Sequence, residues 1–277
     1  MEHFKNKVLT IAGSDSGAGA GIQADLKTFA ALGVYGASVL TAVTAQNSIG
    51  VQDVRIMDED IINSQIDSVL SDIGASAVKT GMLANSNVIK LVSKKIKEHK
   101  IQNLIVDPVM VSESGDALLE EEAVMSYVRD LIPISTLVTP NILEAEKISK
   151  INISSEQDIE KAGRKIIDLG AKNVLIKGGH FKGDFSVDFL FTSGAELIKF
   201  KKNRVNTQNT HGTGCSLSAA IAAYISKGES LEFSIRKSKD FLTNALKNSY
   251  RVGRGPGPVN HFFNFKNQNE LWRKKVH

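Results

Sequence analysis

Short apolar runs alternate along this chain with segments whose apolar residues recur at helical spacing. "KVLTIAG" (7–13) and "ASVLTAVTAQ" (37–46) are nearly continuous runs of strand-forming residues, whereas "QADLKTFAALG" (23–33) is amphipathic with a helical period and stops at Gly33. "DEDIINSQIDSVLSDIG" (58–74) places Ile61, Ile62, Ile66, Val69 and Leu70 on one side of a helix. Further strands are predicted at 76–82, 103–110, 136–141 and 173–179, with helical segments between them. "DFLFTSGAELIKF" (188–200) reads as a hairpin turning at Ser193-Gly194, and two helices over about 213–227 and 230–252 precede a Gly/Pro loop, "GRGPGPVNHF".

Apolar strands separated by helices predict an α/β fold with a mostly parallel central sheet, helices on both faces, and an antiparallel edge from the hairpin. No linker, repeat or low-complexity stretch interrupts the pattern, so one domain is expected over 1–277, with 264–277 as a peripheral basic tail. In such sheets ligands bind at the carboxyl ends of the strands. Polar residues cluster at those ends: Ser14 and Asp15, Gln46, Thr80 to Met82, Asp107, Asn141 with Glu144, and Lys177 with Gly178 and Gly179. Any one of them could be a turn or cap residue; their joint placement points to a site.

Composition narrows the classes. The net charge of +4 over 277 residues is that of an ordinary surface, and aromatics at 6% with no basic tract among them leave little for a nucleic-acid platform. The apolar run at the N-terminus is too short for a signal segment, and no stretch reaches the roughly 20 apolar residues of a membrane span, so a cytoplasmic protein is expected. The single cysteine cannot form an intramolecular disulfide.

Two glycine-rich turns are candidates for ligand binding. "GSDSGAGAG" (13–21) follows a strand and opens a helix, but its glycines do not fit G-x-G-x-x-G, the second strand ends in Gln46 rather than an acid, and no G-K-[ST] follows. It is either a turn that lets backbone approach a flat ligand or a connection needing positive φ. "HGTGC" (211–215) places Gly212, Thr213 and Gly214 where a helix begins, so unpaired amides and the helix dipole would face an anion there. The alternative is a plain turn with Cys215 as a small core residue. His211 and Cys215 alone are too few for a zinc site.

Taken together, "LTIAGSDSGAGAGIQADLKTFAALGVYG", "TAVTAQNSIGVQ", "KTGML", "VDPVM", "VTPNILEAE", "IKGGH", "NTHGTGCSLSAAIAAY" and "GPVNHF" run colinearly from about Val8 to Phe263. By these segments the chain resembles the ribokinase superfamily, and within it the hydroxymethylpyrimidine/phosphomethylpyrimidine kinases of thiamin biosynthesis. The resemblance implies a ribokinase-like three-layer sandwich, usually a homodimer. It also implies a kinase that uses ATP and Mg²⁺ to phosphorylate 4-amino-5-hydroxymethyl-2-methylpyrimidine to its monophosphate and then its diphosphate. Carried over by position, it makes Gln46 and Met82 pyrimidine contacts, with Val109, Gly13 and Asp15 lining the pocket. Asn141 and Glu144 match an N-x-x-E element for metal and phosphate, Asp107 would support the metal through water, and Lys177 would meet ATP phosphates. Gly212, Thr213 and Gly214 would form the anion hole, with Cys215 as catalytic base.

Many ribokinase-like enzymes carry aspartate where this chain has Cys215. A helix N-terminus is expected to lower a thiol's pKa from near ~8.5, which would make Cys215 a serviceable base. A neutral thiol would also tolerate the anionic monophosphate that a fixed carboxylate repels. The rival readings are a pyridoxal or pyridoxine kinase, whose substrate also carries a hydroxymethyl group, and a non-catalytic pyrimidine-binding protein with a degraded phosphate site. His180 and His211 flank the motifs and would touch phosphate or make structural hydrogen bonds. "SDSGAG" (14–19) and "VSESGDALL" (111–119) are candidate lids, of which at least one is expected to close over the site.

Overall fold

The structure, a computed structural model, describes residues 5–110, 121–179, 183–194 and 197–265. Nine strands form one sheet: β1 (Lys7–Asp15), β2 (Tyr35–Asn47), β3 (Gly50–Ile56), β4 (Ala77–Thr80), β5 (Leu104–Val106), β6 (Leu137–Val138), β7 (Asn173–Lys177), β8 (Phe185–Thr192) and β9 (Ile198–Asn203). Their spatial order is β3-β2-β1-β4-β5-β6-β7-β8-β9. The six from β2 to β7 are parallel, whereas β3, β8 and β9 are antiparallel additions at the two edges.

Strand alternation sorts the core into two layers. Leu9, Ile11, Val78, Val106, Val138 and Ile176 face one side, and Val8, Ala77, Ile105, Leu137, Leu175 and Leu190 the other. The first set packs under α2 (Glu59–Ser68), α3 (Ser86–Glu98), α4 (Glu121–Ser126), α5 (Ile142–Ser149) and α6 (Glu156–Asp168). The second packs under α1 (Gly21–Ala31), α7 (Thr213–Ser226) and α8 (Leu231–Lys247). The three-layer sandwich is therefore as the sequence predicts. α7 is buried on several sides, and its small residues Ser216, Ser218, Ala219, Ala220, Ala222 and Ala223 let the sheet, α1 and α8 close around it.

The structure departs from the sequence reading at several places, among them the strands expected at 76–82 and 173–179, which stop at Thr80 and Lys177. β3 was not anticipated: five of its seven residues are exposed, so no buried stripe marks it. The strands expected at 103–110 and 136–141 end early, at Val106 and Val138, before Pro108 and Pro140, which cannot donate to a ladder. The helix expected over 230–252 ends at Lys247. The hairpin over 188–200 is present as β8 and β9.

Candidate active site

The thirteen residues singled out from the sequence line one cleft of about 650 Å³ at the carboxyl ends of the parallel strands. That volume suits a small ligand with a nucleotide beside it.

At one end, the turn after β1 is organised by Asp15. Its carboxylate accepts from the amides of Gly17 at 2.8 Å, Gly19 at 3.0 Å and Ala20 at 2.8 Å, and lies 2.9 Å from His211 Nε2. Burial opposes ionisation of this carboxyl, yet the His211 ring and the Ala20 and Gly17 amides together hold it below the ordinary value. The glycines record close approach. A Cβ on Gly19 would strike the His211 ring, and one on Gly212, whose φ is +81°, would strike the Gly19 carbonyl. A Cβ on Gly13 would lie 2.8 Å from Met82 Cε, so the thioether rests over bare backbone. The 13–21 turn is a connection with positive φ at Ala18 and Gly21, and Gly13, Ser14, Asp15, Ala20 and Gly21 also line the cleft. Gln46 stands at the end of β2, where its Oε1 accepts from Thr44 Oγ1 at 3.2 Å. Of the two expected lids, 14–19 is tied down by Asp15, and 111–119 lies outside the described residues, as does His180.

At the other end, Gly212 to Cys215 open α7. Lys177 Nζ comes within 3.3 Å of where a Gly214 Cβ would be, so the ammonium flanks the helix N-terminus. Lys177 also donates to Asp107 Oδ1 at 2.8 Å, and Ser218 Oγ donates to Asp107 Oδ2 at 3.0 Å. Burial alone would raise the Asp107 carboxyl; Lys177 and Lys79 overcome it and hold the group ionised. Asn141 and Glu144 form a reciprocal cap on α5: the Glu144 amide donates to Asn141 Oδ1 at 2.9 Å and the Asn141 amide to Glu144 Oε2 at 2.7 Å. Burial pushes the Glu144 carboxyl up to about 7, reinforced by Asp107 and opposed by Lys177.

Cys215 departs from expectation. It is only partly exposed, and burial pushes its thiol up to about 11 despite the favourable Lys79 charge and a hydrogen bond from the Gly21 amide. A thiol with a lowered pKa was expected at the helix N-terminus; the structure holds a neutral one at pH 7.

Among the described residues no group of three or more His, Cys, Asp or Glu side chains could hold a metal ion alone. Mg²⁺ keeps several waters and takes only one or two carboxylates when phosphates supply the rest. Asp107 and Glu144 are hard oxygen donors in the same cleft wall.

Several cleft residues and their buried partners escaped the sequence reading. Lys79 and Asp25, both fully buried, form an ion pair at 2.8 Å. Lys239 and Asp188, each 5% exposed, form another at 2.6 Å. A lysine inside the apolar run of β4, and an aspartate on the Ile22–Phe29 face of α1, were the available signals. The Gly/Pro loop after α8 was read from the sequence, but its contacts with the two turns were not. His211 donates its amide to the Gly257 carbonyl at 3.1 Å, and the Gly255 amide donates to Ser48 Oγ at 3.2 Å. His261, held neutral by burial at about 4, lies 2.9 Å from Ser216 Oγ.

Comparison with known proteins agrees with this geometry. The family model described as phosphomethylpyrimidine kinase matches residues 15–260. The hydroxymethylpyrimidine/phosphomethylpyrimidine kinase of Bacillus subtilis is 44% identical over 256 residues, covering 92% of this chain and 94% of its own. The thiamine biosynthesis bifunctional protein ThiED of Geobacter sulfurreducens is 47% identical over 257 residues; they are 93% of this chain but 52% of that protein, so the chain spans about half its length. Among solved structures, the pyridoxal kinase of Staphylococcus aureus in complex with AMP-PCP and pyridoxal is 36% identical, with a TM-score of 0.87 and 95% of each chain covered. The phosphomethylpyrimidine kinase of Clostridium difficile 630 is 43% identical with a TM-score of 0.78, covering 87% of this chain and 99% of its own. A ribokinase-like sandwich with these motifs in one cleft, and this likeness over nearly its whole length, make the chain a kinase that belongs to the phosphomethylpyrimidine kinase family.

Proposed function

We propose that the chain, as one kinase domain, phosphorylates 4-amino-5-hydroxymethyl-2-methylpyrimidine with ATP, and then phosphorylates the monophosphate to the diphosphate. The observation that carries this reading is that the Gln46–Met82 wall and the N-terminus of α7 with Lys177 share one cleft. An alcohol held at the first can reach a phosphoryl group held at the second.

Phosphoryl transfer asks mainly for positioning and charge neutralisation. The Gln46 amide offers both donor and acceptor to a ring nitrogen and exocyclic amine, and Met82 packs on the ring. The Gly212 and Gly214 amides and Lys177 bind the phosphoryl oxygens, the Thr213 amide being given to the Thr210 carbonyl at 3.1 Å. The hydroxymethyl oxygen bonds the γ-phosphorus, the bond from that phosphorus to the ADP oxygen breaks, and the hydroxyl proton, held in a hydrogen bond to the neutral Cys215 sulfur, passes to an oxygen of the transferred phosphoryl group. Because bond making to the nucleophile lags in a loose transition state, a thiol that only accepts a hydrogen bond is sufficient. In the second transfer the nucleophile is already an anion, and the neutral Cys215 does not repel it. Mg²⁺, held through Asp107 and Glu144 with water, would neutralise charge between the phosphates. The same reading carries a cytoplasmic homodimer, as the family resemblance implies; no described helix is long and apolar enough to cross a membrane.

The test is to incubate the protein with the pyrimidine alcohol and ATP and follow monophosphate and diphosphate by phosphorus NMR. Tight pyrimidine binding without ATP consumption would overturn the reading in favour of a binding protein. The likeness to Staphylococcus aureus pyridoxal kinase favours one second reading, a vitamin B6 kinase. Competition between pyridoxal and the pyrimidine alcohol decides it: a higher kcat/KM for pyridoxal replaces the first reading with the second.

A further inference from the structure

Gln46 stands where the regular ladder of the sheet gives out. The parallel pairing of β1 with β2 ends at Asp15 and Thr44, two residues before Gln46. On the other side, the pairing of β2 with β3 shifts register between Ala45 and Gln46 and passes over Gln52. Such a bulge bends a strand and re-aims its side chains. The Gln46 peptide therefore has no ladder partner on β1 at the point where the residue joins the cleft wall.

A side chain takes the place of that partner. Ser16, the residue after β1, donates its hydroxyl to the Gln46 carbonyl at 2.8 Å and accepts from the Gln46 amide at 2.8 Å. One hydroxyl carries a donor and two acceptor positions, so it meets both backbone groups at once. The turn lies flat against this peptide: a Cβ on Gly17 would stand 3.3 Å from the Gln46 carbonyl oxygen. Thr44 Oγ1 lies 2.9 Å from the Ser14 carbonyl oxygen and 3.2 Å from Gln46 Oε1, so the side-chain amide is referenced to the same turn. Asp15, between Ser14 and Ser16, fastens that turn to His211 and so to the anion site. Ser16 itself is exposed and outside the cleft wall. Its two bonds replace bonds to water, so they add little to stability.

We propose that Ser16 is a positioning residue for substrate specificity, its hydroxyl setting where the Gln46 amide stands relative to the anion turn. In-line transfer needs the hydroxymethyl oxygen at a fixed place before the γ-phosphorus, and a ring contact that drifts loses that alignment. Ser16 acts through Gln46 and not on the reacting atoms. The proposal rests on the reading of Gln46 as the contact to the ring nitrogen and the exocyclic amine.

The test uses the intact enzyme with two alcohols, 4-amino-5-hydroxymethyl-2-methylpyrimidine and its counterpart without the amino group. The value of kcat/KM for each is measured for the wild type, Ser16→Ala, Ser16→Thr, Gln46→Ala and Ser16→Ala/Gln46→Ala, with folding verified by circular dichroism. The wild type should prefer the amine-bearing alcohol. Ser16→Ala is expected to shrink that preference about fivefold or more, with KM for ATP changed by less than about twofold. Ser16→Thr, which keeps the hydroxyl, should retain the preference. In the Gln46→Ala background, loss of the Ser16 hydroxyl should leave the preference where it is, because the residue it positions is gone. A loss of kcat/KM shared equally by the two alcohols is what a merely structural hydroxyl would give; it overturns the proposal and leaves the proposed function standing. A preference that falls equally far with and without Gln46 does the same. A wild type that phosphorylates both alcohols equally well removes Gln46 as the reader of the amine and overturns the proposal together with that reading.

Discussion

His211 and Asp15, 196 residues apart in the chain, meet at 2.9 Å and fasten the turn after β1 to the turn before α7. Asp15 has a folded pKa below the ordinary value, so its stabilising effect is present above about pH 4 and is lost as pH falls through the folded pKa. Asp15→Asn keeps the shape but removes the charge from three amides and the ring. It is expected to cost about 1–3 kcal/mol at neutral pH, with Tm falling by roughly 2–4 °C per kcal/mol, and the gap to wild type should close toward pH 3. Thermal unfolding against pH measures this; a gap that persists in acid would mean the charge is not what Asp15 contributes.

Glu144 gives the opposite sign. Its folded carboxyl titrates at about 7, above the ordinary 4.5, so folding favours its protonated form. Its contribution is most favourable below pH 4.5 and declines as pH rises through 7. Glutamine also satisfies the reciprocal cap with Asn141. Glu144→Gln should therefore raise stability at pH 8 by on the order of 1–3 kcal/mol and flatten the pH dependence between pH 5 and pH 7. ATP-dependent turnover should fall about tenfold or more. A variant that is less stable than wild type at pH 8 would contradict the assignment.

Gly212 and Gly33 both have positive φ, but only Gly212 lacks space for a side chain. Gly33→Ala is expected to cost about 1–2 kcal/mol with activity intact. Gly212→Ala must also displace the Gly19 carbonyl, so it should cost more and abolish phosphoryl transfer. Parallel melting curves and rates for the two variants check the contrast; equal effects would mean the turns are not interlocked.

Cys215→Asp places a fixed anion beside the incoming monophosphate. Repulsion of about 1 kcal/mol in water, and more in a drier cleft, predicts that the second transfer slows at least about fivefold more than the first. Rates on the alcohol and the monophosphate, measured separately, test this. If diphosphate formation survives as well as monophosphate formation, tolerance of the anion is not the reason for a thiol.

The parallel core was legible because burial on both faces leaves continuous apolar runs such as 7–13 and 173–177. β3 was not, because a strand that buries little carries no such mark. The positions of Gln46, Asp107, Asn141 and Lys177 followed from strand ends, whereas what those residues touch did not. The thiol of Cys215 shows why. Its place at a helix N-terminus is local and was readable, but the burial that reverses its pKa comes from α1, β4 and β5 closing over it. Lys79 and Asp25 were visible only as polar residues out of place on apolar faces, and their pairing across 54 residues was not encoded in either segment alone.

The hydrogen bonds from His211 to Gly257 and from Gly255 to Ser48 bear on the order in which the protein can be assembled. The turn at 211–215 is braced by Gly257, 46 positions after His211 (257 − 211), and the β2–β3 hairpin by Gly255, 207 positions after Ser48. A growing chain on the ribosome can build its sheet progressively, but it cannot fasten this turn until residues 255–261 have emerged. Competence to transfer phosphate should therefore arrive only after those residues have left the ribosome.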